Sequence, residues 1–215
     1  EVEARLTFYG VAHDFPGERI VVADSGGGST ELAAGARLPG MPLALDRAES
    51  LNIGCRRVTE RFLAGDPPAG EELAAAADWV RPQFRAYWEG LPQRPERLVA
   101  VGGTVTSLMA MTLGLERYDS RLVHLHDLTL DEVRGRIARM FGLPVSGIAG
   151  LPGIQPKRAP VILAGALIIR ELMEAGGYDR LTVSENSLLA GMAATVYEVE
   201  RGETPAIGWT PELSR

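Results

Sequence analysis

Residues 21–32 read VVADSGGGSTEL. A β-branched apolar run ends on a carboxylate, Asp24. Gly26, Gly27 and Gly28 follow, and then Ser29, Thr30 and a second carboxylate, Glu31, open another apolar stretch. The runs and their glycine interruption predict two strands joined by a short turn. The glycines alone fit a tight hairpin turn, because a residue without Cβ reaches backbone angles that others avoid. The flanks point to a ligand. Glycine amides, unshielded by side chains, can approach phosphate oxygens closely, and Asp24 and Glu31 stand where they could hold Mg²⁺ directly or through water. The stretch lacks the lysine of a Walker-type loop and does not fit the dinucleotide fingerprint, so it belongs to another phosphate-binding class.

Outward from this stretch the pattern alternates between strands and helices. Before it, Val2, Leu6 and Tyr9 stand at helical spacing and read as the last turns of a helix that begins upstream. After it, residues 41–54 (MPLALDRAESLNIG) give a third extended segment, so three consecutive antiparallel strands are expected. VTERFL then predicts a short helix. Residues 70–91 place Leu73, Ala77, Val80, Phe84 and Trp88 on one helical face, with Pro82 expected to kink or divide the helix. Residues 97–111 (RLVAVGGTVTSLMAM) pass from strand to helix across Gly102, Gly103 and Thr104, a second candidate anion site at a helix N-terminus. A capping box at Thr129 and Glu132 opens another helix, residues 158–173 read as a buried helix, and DRLTVS leads to a final helix near Ser187. The whole is an α/β sheet with packed helices, followed by a surface tail over residues 201–215.

Composition narrows the function classes. The formal net charge of −6 argues against nucleic acid or an anionic membrane as partner, since both need many cations to neutralise phosphates. The most apolar stretch, residues 159–169, is too short to span a bilayer. The single cysteine, Cys55, excludes an internal disulfide and suits a reducing compartment, so a cytoplasmic protein is expected; Cys55 itself reads as a packing residue. Nearly all the positive charge is arginine, with Lys157 the only lysine, which makes guanidinium groups the available phosphate partners.

Five segments in order resemble the Ppx/GppA phosphatases, the exopolyphosphatases and guanosine pentaphosphate phosphohydrolases of the actin-like ATPase superfamily. They are EVEARLTFYG at residues 1–10, DSGGGSTEL from Asp24, the run from Gly54 to Glu60, VGGT at residues 101–104, and LPGIQPKRAPVILAG at residues 151–165. Val183 and Ser184 before the last helix continue the likeness. It covers residues 1–198, and residues 1–200 are expected to form the second lobe of an actin-like, ribonuclease H-like fold. The resemblance implies that Glu3 orients or deprotonates the attacking water. It also implies that Asp24 and Glu31 organise Mg²⁺ and water, while Gly26, Gly27, Gly28, Ser29 and Thr30 bind phosphate together with Gly102, Gly103 and Thr104. On the residues alone, Glu3 reads as a solvated helix carboxylate.

Arg57, Lys157 and Arg158 rank lower, as contacts for trailing phosphates or as surface charges. His124 and His126 form a His-x-His pair without an evident third metal ligand. Two departures from the family pattern stand out. The family's first lobe, with its DLGSNS-like loop, has no counterpart in these residues, so a missing lobe or a second copy is expected as partner. A GLREG-like segment reads SLLAG at residues 187–191, which removes an arginine and a glutamate at Leu189 and Ala190. The implied reaction is release of orthophosphate from polyphosphate or from guanosine pentaphosphate, a nucleotide of the stringent response. A phosphate-binding regulatory module without turnover is the alternative.

Overall fold

The computed structural model describes residues 2–38 and 40–208. Helix α1 (Val2–Val11) is followed by an antiparallel meander of β1 (Arg19–Ser25), β2 (Thr30–Ala36) and β3 (Ala44–Leu51). Helices α2 (Cys55–Phe62) and α3 (Gly70–Glu89) lead to β4 (Arg97–Val101) and α4 (Gly103–Thr112). The short α5 (Ser120–Val123), β5 (Asp127–Thr129), α6 (Leu130–Met140) and α7 (Val145–Ala149) precede α8 (Ala159–Gly176), β6 (Arg180–Val183) and α9 (Leu188–Glu200). The strands form one six-stranded sheet in the order β3-β2-β1-β4-β6-β5. β1 pairs antiparallel with β2 and parallel with β4, and β4 pairs parallel with β6. The carboxyl ends of β1, β4 and β6 therefore share one edge of the sheet, the edge where open α/β sheets place their ligands.

Alternation along the strands explains why both faces are covered. Val21 and Ala23 of β1, Leu32 and Ala34 of β2, and Leu98 and Ala100 of β4 face a core shared with α2, α3, α4, α6 and α8. Ile20, Val22, Ala33, Val99 and Val101 face the opposite way, onto α1. Helix α8 is apolar nearly all round because it is enclosed. Ile162, Leu163, Leu167, Ile168, Ile169, Leu172 and Met173 are buried, each contributing on the order of 1.5–3 kcal/mol. On the other face, α1 and α9 approach to backbone contact. A Cβ on Gly191 would fall 1.8 Å from the Leu6 carbonyl oxygen, and one on Gly10 would fall 2.6 Å from the Ser187 oxygen.

Several expectations are corrected. Helix α3 runs unbroken through Pro82, so the proline does not divide it. The three-residue β5, too short for a period-two pattern to register, adds an edge strand just before the capping box of α6. His124 and His126 lie in the turn between α5 and β5, not on a strand. Part of the segment expected as a surface tail is held down. Pro205 and Ile207 are buried, Leu43 donates its amide to the Ala206 carbonyl, and Arg5 donates to that of Ile207. Residues 209–215 of that segment lie outside the described residues.

Candidate active site

The glycine loop projects from the ligand edge and is fastened from below by the start of α2. The Gly26 amide donates to Ser29 O at 2.9 Å and closes the turn. The amides of Cys55, Arg56 and Arg57 donate to the carbonyls of Gly26 and Gly27 at 3.0–3.1 Å, so the loop caps the α2 N-terminus. Arg57 Nε donates to Gly28 O at 2.9 Å, which leaves the rest of its guanidinium beside the loop. Gly54 makes this docking possible: a Cβ there would lie 2.3 Å from Gly27 O and 2.4 Å from Gly28 N.

The loop glycines are a different case. None of Gly26, Gly27 and Gly28 has a φ in the left-handed region. A Cβ on each would meet nothing nearer than 3.4 Å, 3.8 Å and 3.9 Å respectively. The backbone does not require glycine here and packing does not require it, yet glycine at three positions costs about 0.5–1 kcal/mol each in chain entropy. Gly27 and Gly28 leave their main chain exposed to solvent, while the Gly26 amide and carbonyl are bonded to Ser29 and Cys55.

Asp24 and Glu31 are directly opposite in the β1–β2 ladder, so both carboxylates project to the same face. Glu31 is buried and accepts a hydrogen bond from Ser50 Oγ at 2.7 Å. Burial foremost, and then the Glu31 and Glu3 carboxylates, hold the Asp24 carboxyl up at about 6, against an ordinary value of 3.8. Glu3, exposed in the first turn of α1, is thus the third negative group of this corner. Among the described residues none of the three is ion-paired with a cation. Like charges gathered without a counter-ion fit a divalent cation. No three Asp, Glu, His or Cys side chains enclose a metal by themselves among the described residues. Mg²⁺ does not need them to, since it binds through one or two carboxylates and fills its remaining positions with water and phosphate oxygens. Asp24 and Glu31 are the residues that would hold it.

The second turn lies beside the first. Gly102, at φ 92°, caps α4, and a Cβ there would fall 2.9 Å from Asp24 Oδ1. The amides of Gly103, Thr104 and Val105 have no acceptor within α4 and point out of its N-terminus. The Arg158 guanidinium lies over Gly103, close enough that a Cβ there would fall 1.9 Å from its nitrogen. Lys157 and Arg158 join Gly102, Gly103, Tyr118, Ser184 and Glu185 around a cavity of about 350 Å³. A cavity of about 460 Å³ at the opposite edge of the sheet is larger, but its arginines are engaged. Arg94 bonds Gly177 O and stacks on Tyr178, and Arg97 pairs with Glu18. Size therefore does not mark the site.

Two expected phosphate ligands turn inward. Thr30 is fully buried and its hydroxyl donates to Ile53 O at 2.6 Å. The Thr104 side chain is buried against Gly165, so its amide is what faces the site. Cys55 is buried and its thiol is pushed above the ordinary range by burial, which agrees with packing and not reactivity. Sequence reading missed Gly54 as a support of the loop, and Tyr118, Ser184 and Glu185 as cavity lining. The Gly54–Glu60 motif held the signal for the first and the Val183–Ser184 likeness one for Ser184, but nothing local signals Tyr118 or Glu185.

A mixed sheet with an antiparallel meander beside parallel strands, covered by helices on both faces, is a fold of the actin-like ATPase type. The chain belongs to the Ppx/GppA phosphatase family, whose model matches residues 1–198. It is 34% identical over 201 residues to exopolyphosphatase 2 of Mycobacterium tuberculosis, covering 90% of this chain and 61% of that protein. It is 33% identical over 195 residues to a bifunctional 3-dehydroquinate synthase/phosphatase of Fusobacterium nucleatum, covering 88% of this chain and 28% of that one. The crystal structure of the Aquifex aeolicus Ppx/GppA family member superposes with a TM-score of 0.83 at 29% identity, over 94% of this chain and 63% of its own. The chain thus spans somewhat under two thirds of the exopolyphosphatase and of the Aquifex protein. No helix among the described residues is long and apolar enough to cross a membrane.

Proposed function

We propose that this chain forms one wall of a hydrolytic site that releases orthophosphate from the end of a phosphoanhydride chain, inorganic polyphosphate or guanosine pentaphosphate, in the cytoplasm. The observation that carries this reading is the glycine loop, whose three glycines serve neither backbone angle nor packing and whose exposed Gly27 and Gly28 amides lie beside two carboxylates without a cationic partner among the described residues. The amides of Gly27 and Gly28 and those at the α4 N-terminus receive the non-bridging oxygens of the terminal phosphate. Arg158, Lys157 and Arg57 stand where phosphates further along the chain would run. Asp24 and Glu31 hold Mg²⁺, which when bound neutralises charge on the transferred phosphoryl group. Glu3 orients the attacking water and accepts its proton. Exposed as it is, Glu3 needs a second wall to exclude bulk solvent. We assign that wall to a first lobe, consistent with the share of the M. tuberculosis relative that this chain spans. Leu189, Met192 and Tyr197 of α9 and Val2 of α1 offer the exposed apolar surface for such a lobe or for a second copy.

The test is orthophosphate release by the two-lobe protein from each substrate, with and without EDTA. Chelation should abolish release, and Glu3→Gln should lower kcat by roughly 10²–10⁴-fold with little change in KM. Undiminished release after chelation would remove the metal from the account, and a wild-type rate in the variant would return Glu3 to a solvated surface residue.

A further inference from the structure

We infer that His124 is a positioning residue of this site: its Nδ1 holds the Glu185 amide and so fixes the β6–α9 loop against the cavity. The inference rests on the functional reading above only for what the loop contributes to ligand binding. The contact itself stands on geometry. Glu185 N lies 3.1 Å from His124 Nδ1, and since an amide can only donate, Nδ1 is the unprotonated nitrogen and the ring proton sits on Nε2. Nε2 faces Asp14 Oδ2 at 3.7 Å, and the same oxygen accepts from Asn186 Nδ2 at 2.8 Å. Ser184 donates its amide to Ala100 O at the end of β4. The loop is therefore fastened at three successive residues, to β4 through Ser184, to His124 through Glu185 and to the α1–β1 connection through Asn186. Ser184, Glu185 and Ser187 line the same cavity as Gly102, Gly103, Lys157 and Arg158.

A second, independent observation supports the assignment. Leu125, next to His124, has φ 61° and is the single non-glycine residue among those described in the left-handed region. That conformation is disfavoured for a residue with a Cβ, and Leu125 is 46% exposed, so burial of its side chain does not explain it. Two backbone bonds, Leu125 N to Val183 O at 2.7 Å and Val183 N to His126 O at 2.9 Å, clamp the turn to the end of β6. The outcome of the strained turn is the delivery of the His124 ring to the Glu185 amide.

The test is amide hydrogen exchange of Glu185 in the full chain, as protection relative to Ser184, with binding of inorganic tripolyphosphate measured alongside. At pH 8, His124→Ala should lower Glu185 protection by roughly 3- to 10-fold, and His124→Asn, which keeps an acceptor in that place, should restore it. Tripolyphosphate binding should weaken with Glu185 protection across these proteins. Equal Glu185 protection in wild type and His124→Ala, or no recovery of protection in His124→Asn, would overturn the inference. Loss of protection with unaltered tripolyphosphate affinity would overturn the loop's role in the site. A wild type that binds no tripolyphosphate would contradict the functional reading, and the exchange result would still decide the role of His124.

Discussion

The glycine turn after β1 and the glycine turn after β4 close neighbouring parallel strands on one edge of the sheet, and in sequence they look alike. In the structure their glycines answer to different demands. Gly102 needs its residue type for a φ of 92° and for the Asp24 carboxylate beside it, and Gly103 lies under the Arg158 guanidinium. The protein itself requires glycine at 102, whereas a Cβ at 103 would only displace the far end of the Arg158 side chain. Gly26, Gly27 and Gly28 have neither a left-handed φ nor a crowded Cβ position, so the requirement for them lies outside the protein. A glycine that the fold would release is evidence for a ligand. A glycine that the fold demands is evidence for architecture.

If the corner at β1 is tuned to a ligand, its strain should disappear when the ligand-holding group is removed. The largest effect is expected from Asp24→Asn. Activity of the two-lobe protein should fall by at least roughly 10²-fold with the loss of a group proposed to hold the metal. The same change should stabilise the ligand-free chain. Because the Asp24 carboxyl is held at about 6, above its ordinary 3.8, the folded state keeps a proton that the unfolded state releases. Stability therefore declines as pH rises through that interval, and the deficit persists at neutral pH. Asparagine should recover on the order of 1–3 kcal/mol at pH 7.5, a rise in Tm of roughly 2–10 °C, and little at pH 3.5, as read from thermal melts. A lower Tm at pH 7.5 would mean that Asp24 supports the fold.

Gly54→Ala sharpens the contrast from the side of architecture. Its Cβ would press on the Gly27 carbonyl and the Gly28 amide, main-chain atoms with little freedom to yield. A loss of about 1–3 kcal/mol is expected, together with weaker phosphate binding, because the loop it supports must shift. A Tm within 1 °C of wild type would show that the loop docks loosely on α2.

The α/β class, the meander and both glycine turns were legible in the sequence because they rest on local signals: β-branched runs, glycine stops and helical spacing. Strand alternation also places Glu31 on the face opposite Leu32, a clue that Thr30 and Leu32 point together into the core, although Thr30 was expected among the phosphate ligands. The ambiguity of the triple glycine could not be resolved locally, because a backbone angle and an empty volume are properties of the folded chain. The long-range pieces were also hidden. Arg158 meets Gly103 because α8 packs on α4, and His124 meets Glu185 because the turn before β5 is bonded to the end of β6. The three-residue β5 and the intact helix through Pro82 depend on packing that no short window displays.

The smallest change to the fold gives the most direct test of the central claim, that the glycine loop is kept bare for a phosphate. In Gly27→Ala the added Cβ would meet nothing nearer than Arg56 Cβ at 3.8 Å. Loss of chain entropy in the unfolded state should leave Tm unchanged or slightly raised, within about 1 kcal/mol. Calorimetric titration of wild type and variant with tripolyphosphate in the presence of Mg²⁺ should then show affinity reduced by roughly tenfold or more in a protein that melts no lower than wild type. Affinity equal to that of wild type, or a loss that appears only together with a lowered Tm, would contradict the account and make SGGGST a hairpin turn.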